Sequence, residues 1–296
     1  MTGFLLFCIM SAFLLSACGN TDSPTTASTA AKINVVAAEN FYGNIASQIG
    51  GRYVNVTSII SDPNIDPHTF EANPRYAKAV GTANLVIENG GGYDDWMDRL
   101  IASTPNNNRQ VLTGFNLATV KIPDNEHVWY SYENAETIAT AIAAKLTALD
   151  SSHATEYDNN LQTFKQSLQQ IQQKINEIKN KYQGTPVGLT ETIYQYQTGP
   201  MGLNVKTPEA FQKAMAEGND PSASAVATAE DQINQHQIKV LIYNEQTASK
   251  FTDTLQSDAK AQHIPIVPVT ETMPAGKTYQ TWMLGQLNQL EQALGK

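Results

Sequence analysis

From residue 161 to residue 182 the apolar side chains of Leu161, Phe164, Leu168, Ile171, Ile175, Ile178 and Tyr182 recur at alternating steps of three and four. That spacing keeps them on one face of an α-helix. The residues between them are Gln, Lys, Asn, Glu, Ser and Thr, which suit a solvated face. The pattern predicts one long amphipathic helix, roughly 33 Å long at about 1.5 Å per residue. Such a stripe has two uses. It can dimerise a chain as a coiled coil, for which three heptads are short, or it can lie within one molecule as a spine buried against two halves. The sequence on either side decides for the spine, because both sides read as α/β.

Before the stripe, the β-branched runs at 33–38 (INVVAA) and 54–60 (VNVTSII), then NLVIE at 84–88 and a short run at 110–112, predict strands. Helices are expected at 42–49, 75–80 and 133–149. After the stripe, strands are expected at 186–190, 240–244 (VLIYN) and 264–269 (IPIVPV). The helices there are expected at 208–216, with Thr207 as N-cap and Pro208 in the first turn, at 248–263, and at 279–294. Strands alternating with helices indicate parallel sheets covered on both faces. The expected fold class is therefore α/β, two parallel-sheet α/β lobes joined by one long rigid helix. The lobes occupy 32–150 and 184–296, with the linking helix at 151–183.

Residues 1–31 stand apart from this pattern. The run FLLFCIMSAFLL is too short to cross a bilayer as a mature helix and has the length of a signal h-region. It ends in LSAC, so residues 1–18 resemble a lipoprotein signal peptide with Cys18 as the lipidated residue. The opening MTG carries no basic residue, which leaves the true start of the chain open. Residues 19–31, rich in Ser, Thr, Ala and Pro, read as a flexible tether. Both cysteines, Cys8 and Cys18, fall in the leader, so the mature body is expected to hold neither a disulfide nor a thiolate metal site. The net charge of -9 argues against a nucleic-acid partner.

In open α/β sheets ligands sit beyond the carboxyl ends of the strands. Four chemically useful residues meet that condition. His68 follows the second strand in a loop stiffened by Pro63 and Pro67, and His127 precedes the helix expected near 133, beside Trp129. Glu191 ends the strand VGLTE, and Glu271 lies just past IPIVPV. Two imidazoles and two carboxylates, one kind from each half, suit a divalent first-row metal. His153, His236 and His263 fall in or at the ends of helices and read as surface residues.

DPHTFE around His68, EHVWYSYENA around His127, TETIYQYQ with Glu191 and VTETMPAGKTYQTWM with Glu271 resemble, in order, the four ligand-bearing motifs of the bacterial zinc and manganese binding lipoproteins of ABC transporters, the cluster A-I substrate-binding proteins. The resemblance covers nearly all of residues 33–296 and includes the lipobox and the central helix. It implies a monomer held by a lipid anchor at the extracytoplasmic face of the cell membrane. This monomer would bind Zn2+ or Mn2+ as transported ligand through His68, His127, Glu191 and Glu271, and would deliver it to a membrane permease and its ATPase rather than act as an enzyme. Two departures bear on the carry-over. The second motif runs into Ser131 and Tyr132 where the family usually has Asp-Pro, and the fourth ligand, often Asp, is Glu271. A metal-dependent hydrolase and a metal-stabilised surface adhesin are the rival readings, and the chain has no His-Glu-x-x-His helix for the first.

Overall fold

The computed structural model describes residues 31–296 apart from Asn64, Asp66, His68, Thr69 and Ala72, so the leader, Cys18, the tether up to residue 30 and His68 lie outside the described residues. The first half contributes β1 (Ile33–Glu39), α1 (Asn40–Gly50), β2 (Val54–Ile60), α2 (Pro74–Gly81), β3 (Leu85–Glu88), α3 (Asp95–Ser103), β4 (Gln110–Thr113) and the single turn α4 (Gly114–Leu117). A 3-10 turn, Val128–Tyr130, leads into α5 (Tyr132–Leu149) and then α6 (Ala154–Tyr182). The second half contributes β5 (Pro186–Leu189), α7 (Gln195–Met201), β6 (Asn204–Val205), α8 (Glu209–Ala216), α9 (Ala223–Asn234), β7 (Val240–Asn244), α10 (Lys250–Ala261), β8 (Ile266–Val269) and α11 (Tyr279–Leu294).

Both sheets are parallel, and their strand orders correspond: β2-β1-β3-β4 in the first and β6-β5-β7-β8 in the second. In each, the first strand is central and the order reverses beside it, between β1 and β3 and between β5 and β7. The period-2 alternation of a strand sorts its side chains to two faces. Val35, Ala37, Leu85 and Ile87 join one core, while Val36, Ala38 and Val86 join a separate cluster under α2 and α3. In the second sheet Val187, Leu189, Val240 and Ile242 face that same first core, and Leu241 faces a third cluster under α8, α9 and α10. The inner faces of the two sheets thus share one continuous apolar core.

Helix α6 runs along that core. Leu161, Phe164, Leu168, Ile171, Ile175 and Ile178 of the stripe are buried in it, and Tyr182 is half-buried against it. It packs on α1 and α5 from the first half and on α7 and α11 from the second. At about 1.5–3 kcal/mol for each fully buried large apolar side chain, this face is a major part of what holds the halves together. The helix is 29 residues long, seven more than the stripe predicts, because Tyr157 continues the apolar face one turn toward the N-terminus. It stops at Gln183, and Gly184 follows with φ +81, the left-handed conformation that a helix terminus assigns to glycine.

Two local expectations fail. Thr207 does not cap α8; Pro208 occupies that position, and the Thr207 hydroxyl accepts the Leu189 N–H (3.0 Å) and pairs with Gln232. His153 is not a free surface residue. Its Nδ1 lies 2.6 Å from Asp150 Oδ2, and its ring stacks on Tyr53 at 3.8 Å.

Candidate metal centre

Three of the four candidate ligands converge. His127, Glu191 and Glu271 each offer a ligand atom, and these atoms lie within 4.8 Å of one another. All three residues are at most 2% exposed. Glu191 lies two residues beyond β5 and Glu271 two beyond β8, both past carboxyl ends of the second sheet, while the loop before Val128–Tyr130 brings His127 across from the first half. His68, the fourth candidate, is outside the described residues. Its loop is represented by Ile65, whose carbonyl accepts from Gln246 Nε2 (2.9 Å).

The imidazole is oriented by Asn125. The Asn125 amide nitrogen donates to Thr192 O (2.9 Å) and Gln195 Oε1 (3.1 Å), so its oxygen faces His127, lying 2.9 Å from Nδ1 and 3.1 Å from the backbone N–H. An amide oxygen only accepts, which assigns the proton to Nδ1 and leaves the Nε2 lone pair facing Glu191 Oε1 at 3.5 Å. Such a hydrogen bond on the far nitrogen fixes the tautomer of a ligating histidine. Trp129 and Tyr93 pack edgewise on the ring, at 5.2 and 5.7 Å between centroids.

The carboxylates are held as firmly. Glu191 Oε1 accepts from Ile193 N and Thr192 Oγ1, both at 3.0 Å, and Oε2 accepts from Asn244 Nδ2 at 2.9 Å. Glu271 Oε1 accepts from the same Asn244 nitrogen at 2.7 Å, and Oε2 from the Tyr93 hydroxyl at 3.0 Å. Burial pushes the Glu191 carboxyl well above the usual range, the neighbouring Glu271 charge adds to this, and the donors from Thr192, Ile193 and Asn244 oppose it. Two carboxylates this deep are costly to ionise together unless a cation joins them. The backbone of Glu271 is fixed as well: its N–H donates to Gln246 Oε1 (2.7 Å), and its carbonyl accepts from Trp129 Nε1 (3.2 Å).

A family model described as zinc-uptake complex component A, periplasmic, matches residues 35–293. The chain belongs to this family. Among the family's curated relatives, the manganese ABC transporter substrate-binding lipoprotein PsaA of Streptococcus pneumoniae is 23% identical over 99% of this chain and 99% of its own. Two solved structures share the fold. The periplasmic zinc-binding protein TroA of Treponema pallidum superposes with a TM-score of 0.76 at 17% identity, over 89% of this chain and 99% of that one. The substrate-binding protein FpvC of Pseudomonas aeruginosa, in complex with Mn2+, gives 0.75 at 22% identity, over 89% and 98%. The expected family and fold class are therefore both met.

Some members of the constellation are not metal-ligand types and escape a reading that looks for ligands. Asn244 carries the clearest signal, since it closes the strand VLIYN just as Glu191 closes VGLTE. Asn125 supports His127 from two residues upstream, while Ser131 caps α5 by accepting from Asn134 N. Tyr93 sits in a Gly-Gly-Gly turn with no periodicity to mark it.

Proposed function

We propose that this member of the family binds one divalent transition-metal ion of the zinc and manganese class outside the cytoplasm and passes it to an ABC permease for uptake. The observation that carries the reading is the convergence of His127 Nε2 with the Glu191 and Glu271 carboxylates in a buried, pre-oriented set of donors. In this reading His68 is the fourth ligand, a neutral imidazole pair and two carboxylates cancel the charge of the ion, and the complex stays buried without a net charge. Cys18 is the lipid attachment point and residues 19–31 the tether to the membrane surface. Among the described residues no helix is long and apolar enough to cross a membrane. The names of the relatives favour transport over hydrolysis.

Thermal melting with and without metal tests the reading. An ion at a hundred times its Kd stabilises the native state by about 2.7 kcal/mol, so zinc should raise Tm by several degrees in the wild type and leave His127→Ala unmoved. Equal shifts in both proteins would refute the assignment.

A further inference from the structure

Asn244, the last residue of β7, is 1% exposed. Its side-chain oxygen accepts the Gln246 backbone N–H (3.2 Å), which fixes the amide so that its nitrogen faces the site. That one nitrogen donates to Glu191 Oε2 (2.9 Å) and to Glu271 Oε1 (2.7 Å). Both amide hydrogens are therefore used on the two carboxylates of the constellation.

The corresponding position in the first sheet shows that this use is specific. Val187 pairs with Val240 and Leu189 with Ile242, so Glu191 and Asn244 lie opposite one another two residues further on. Val35 pairs with Leu85 and Ala37 with Ile87, which brings Glu39 opposite Asn89 in the same way. Each sheet thus ends in a Glu and Asn pair where its strand order reverses. Asn89, however, gives its amide hydrogens to the carbonyls of Gly90 (2.9 Å) and Glu126 (3.0 Å), and its oxygen accepts from Tyr42 (2.7 Å). Among the described residues neither oxygen of Glu39 receives a donor.

We propose that Asn244 is a positioning residue that limits Glu191 and Glu271 to one metal-facing oxygen each, and so selects a four-coordinate, zinc-class ion over a six-coordinate, manganese-class one. The inference rests on the reading of His127, Glu191 and Glu271 as ligands. A chelating carboxylate presents both oxygens to the ion in its own plane. For Glu191, Oε1 is the oxygen near His127 Nε2 (3.5 Å), and Oε2 is turned to the amide. For Glu271 one oxygen is turned to the amide and the other is held by Tyr93. Chelation by either residue requires its carboxylate plane to turn toward the ion, which competes with the hydrogen bond from Asn244 and weakens a buried donor's contact. Four single-atom ligands satisfy zinc in a tetrahedron, whereas manganese prefers an oxygen-rich octahedral shell.

Cobalt(II) is the probe, because its visible d–d absorption is intense in a four-coordinate site and weak in a six-coordinate one. Cobalt spectra and chelator-competition constants for zinc and manganese are measured on the purified full chain and on Asn244→Leu, which keeps the volume and removes the donors. The wild type should give the intense spectrum. Asn244→Leu should weaken it and narrow the preference for zinc over manganese by about tenfold, the effect of one buried hydrogen bond. A weak, six-coordinate spectrum in the wild type overturns the proposal. So does an unchanged spectrum in Asn244→Leu with both affinities lowered by the same factor, which is what a merely structural residue would give. If circular dichroism shows that Asn244→Leu does not fold, the wild-type spectrum decides alone. A wild type that binds none of the three metals defeats the ligand assignment itself, an outcome separate from these.

Discussion

At the scale of single residues, the candidate centre depends on amides as much as on its candidate ligands. Asn125 sets the tautomer of His127, and its amide end is fixed in turn by Thr192 and Gln195. Replacing it with Leu should weaken zinc binding about 10- to 100-fold, the usual cost of losing the partner of a ligating histidine, while the metal-free protein keeps its circular dichroism; competition titration checks this. Away from the centre, the first sheet buries a carboxyl group of a different kind. Glu39 is raised well above the ordinary range by burial first and then by Asp94. Burial likewise raises Glu88 to about 7 and Asp94 to about 6. Glu39 faces Asp94, an acceptor facing an acceptor, which only a shared proton turns into a hydrogen bond. Groups with a raised pKa bind more protons in the native state than in the unfolded one, so stability falls as pH rises from the ordinary carboxylate range toward 7. Glu39→Gln supplies a permanent donor. It should stabilise the metal-free protein by about 1–2 kcal/mol at pH 7.5 and by little at pH 5, as read by denaturant melts at the two pH values. The places of Glu191 and Glu271, each two residues past a strand, were legible in the sequence because the strand runs before them are plainly apolar. Asn125 was not, because an amide in a loop carries no mark of what it holds, and Asn244 shows in the sequence only its place at a strand end.

At the scale of elements, apolar periodicity was the reliable guide wherever side chains were large. The stripe of α6, the strands 54–60 and 240–244 and the helix 279–294 stand as the pattern expects. Where the buried face is made of small or polar residues the pattern fades: α9 buries Ala225, Ala229, Gln232 and Ile233 and leaves almost no hydrophobic contrast to read. Helix α3 does carry a signal, because Trp96, Met97 and Leu100 form a short apolar face. The spine makes a sharper claim. Ile171 is fully buried at the middle of α6, where a proline removes a backbone hydrogen bond and clashes with the preceding turn. Ile171→Pro should lower stability by about 3 kcal/mol or more and weaken metal retention, although it touches none of the donors; a thermal melt followed by metal content after dialysis checks both.

At the scale of the molecule, the shared core and the contacts across it argue against a wide hinge. The segment carrying Glu271 is pinned from both sides. Asn40, at the start of α1, donates to Met273 O (2.7 Å) and accepts from Met273 N (2.9 Å). The Tyr130 hydroxyl bonds Thr270 O (2.5 Å), and Gln246 accepts from Glu271 N and Thr272 N. Pro274, Ala275 and Gly276 form the loop that follows, the place where a local pivot would sit. These contacts instead hold residues 270–273 just ahead of it, so motion of Glu271 requires that they break. Gln246 also reaches Ile65 in the loop after β2, tying the loop that carries His68 to the segment that carries Glu271. This coupling could not be read in the sequence, because it joins residues 181 positions apart through a backbone carbonyl. Whether one ion is held among His127, Glu191 and Glu271 is decided by calorimetric titration of zinc into the wild type and into Glu191→Gln. The wild type should bind one ion per chain at submicromolar Kd, and Glu191→Gln should lose about 100-fold or more, the effect of removing a charged ligand from a buried site. No heat of binding in the wild type, or the same affinity in both, would contradict it.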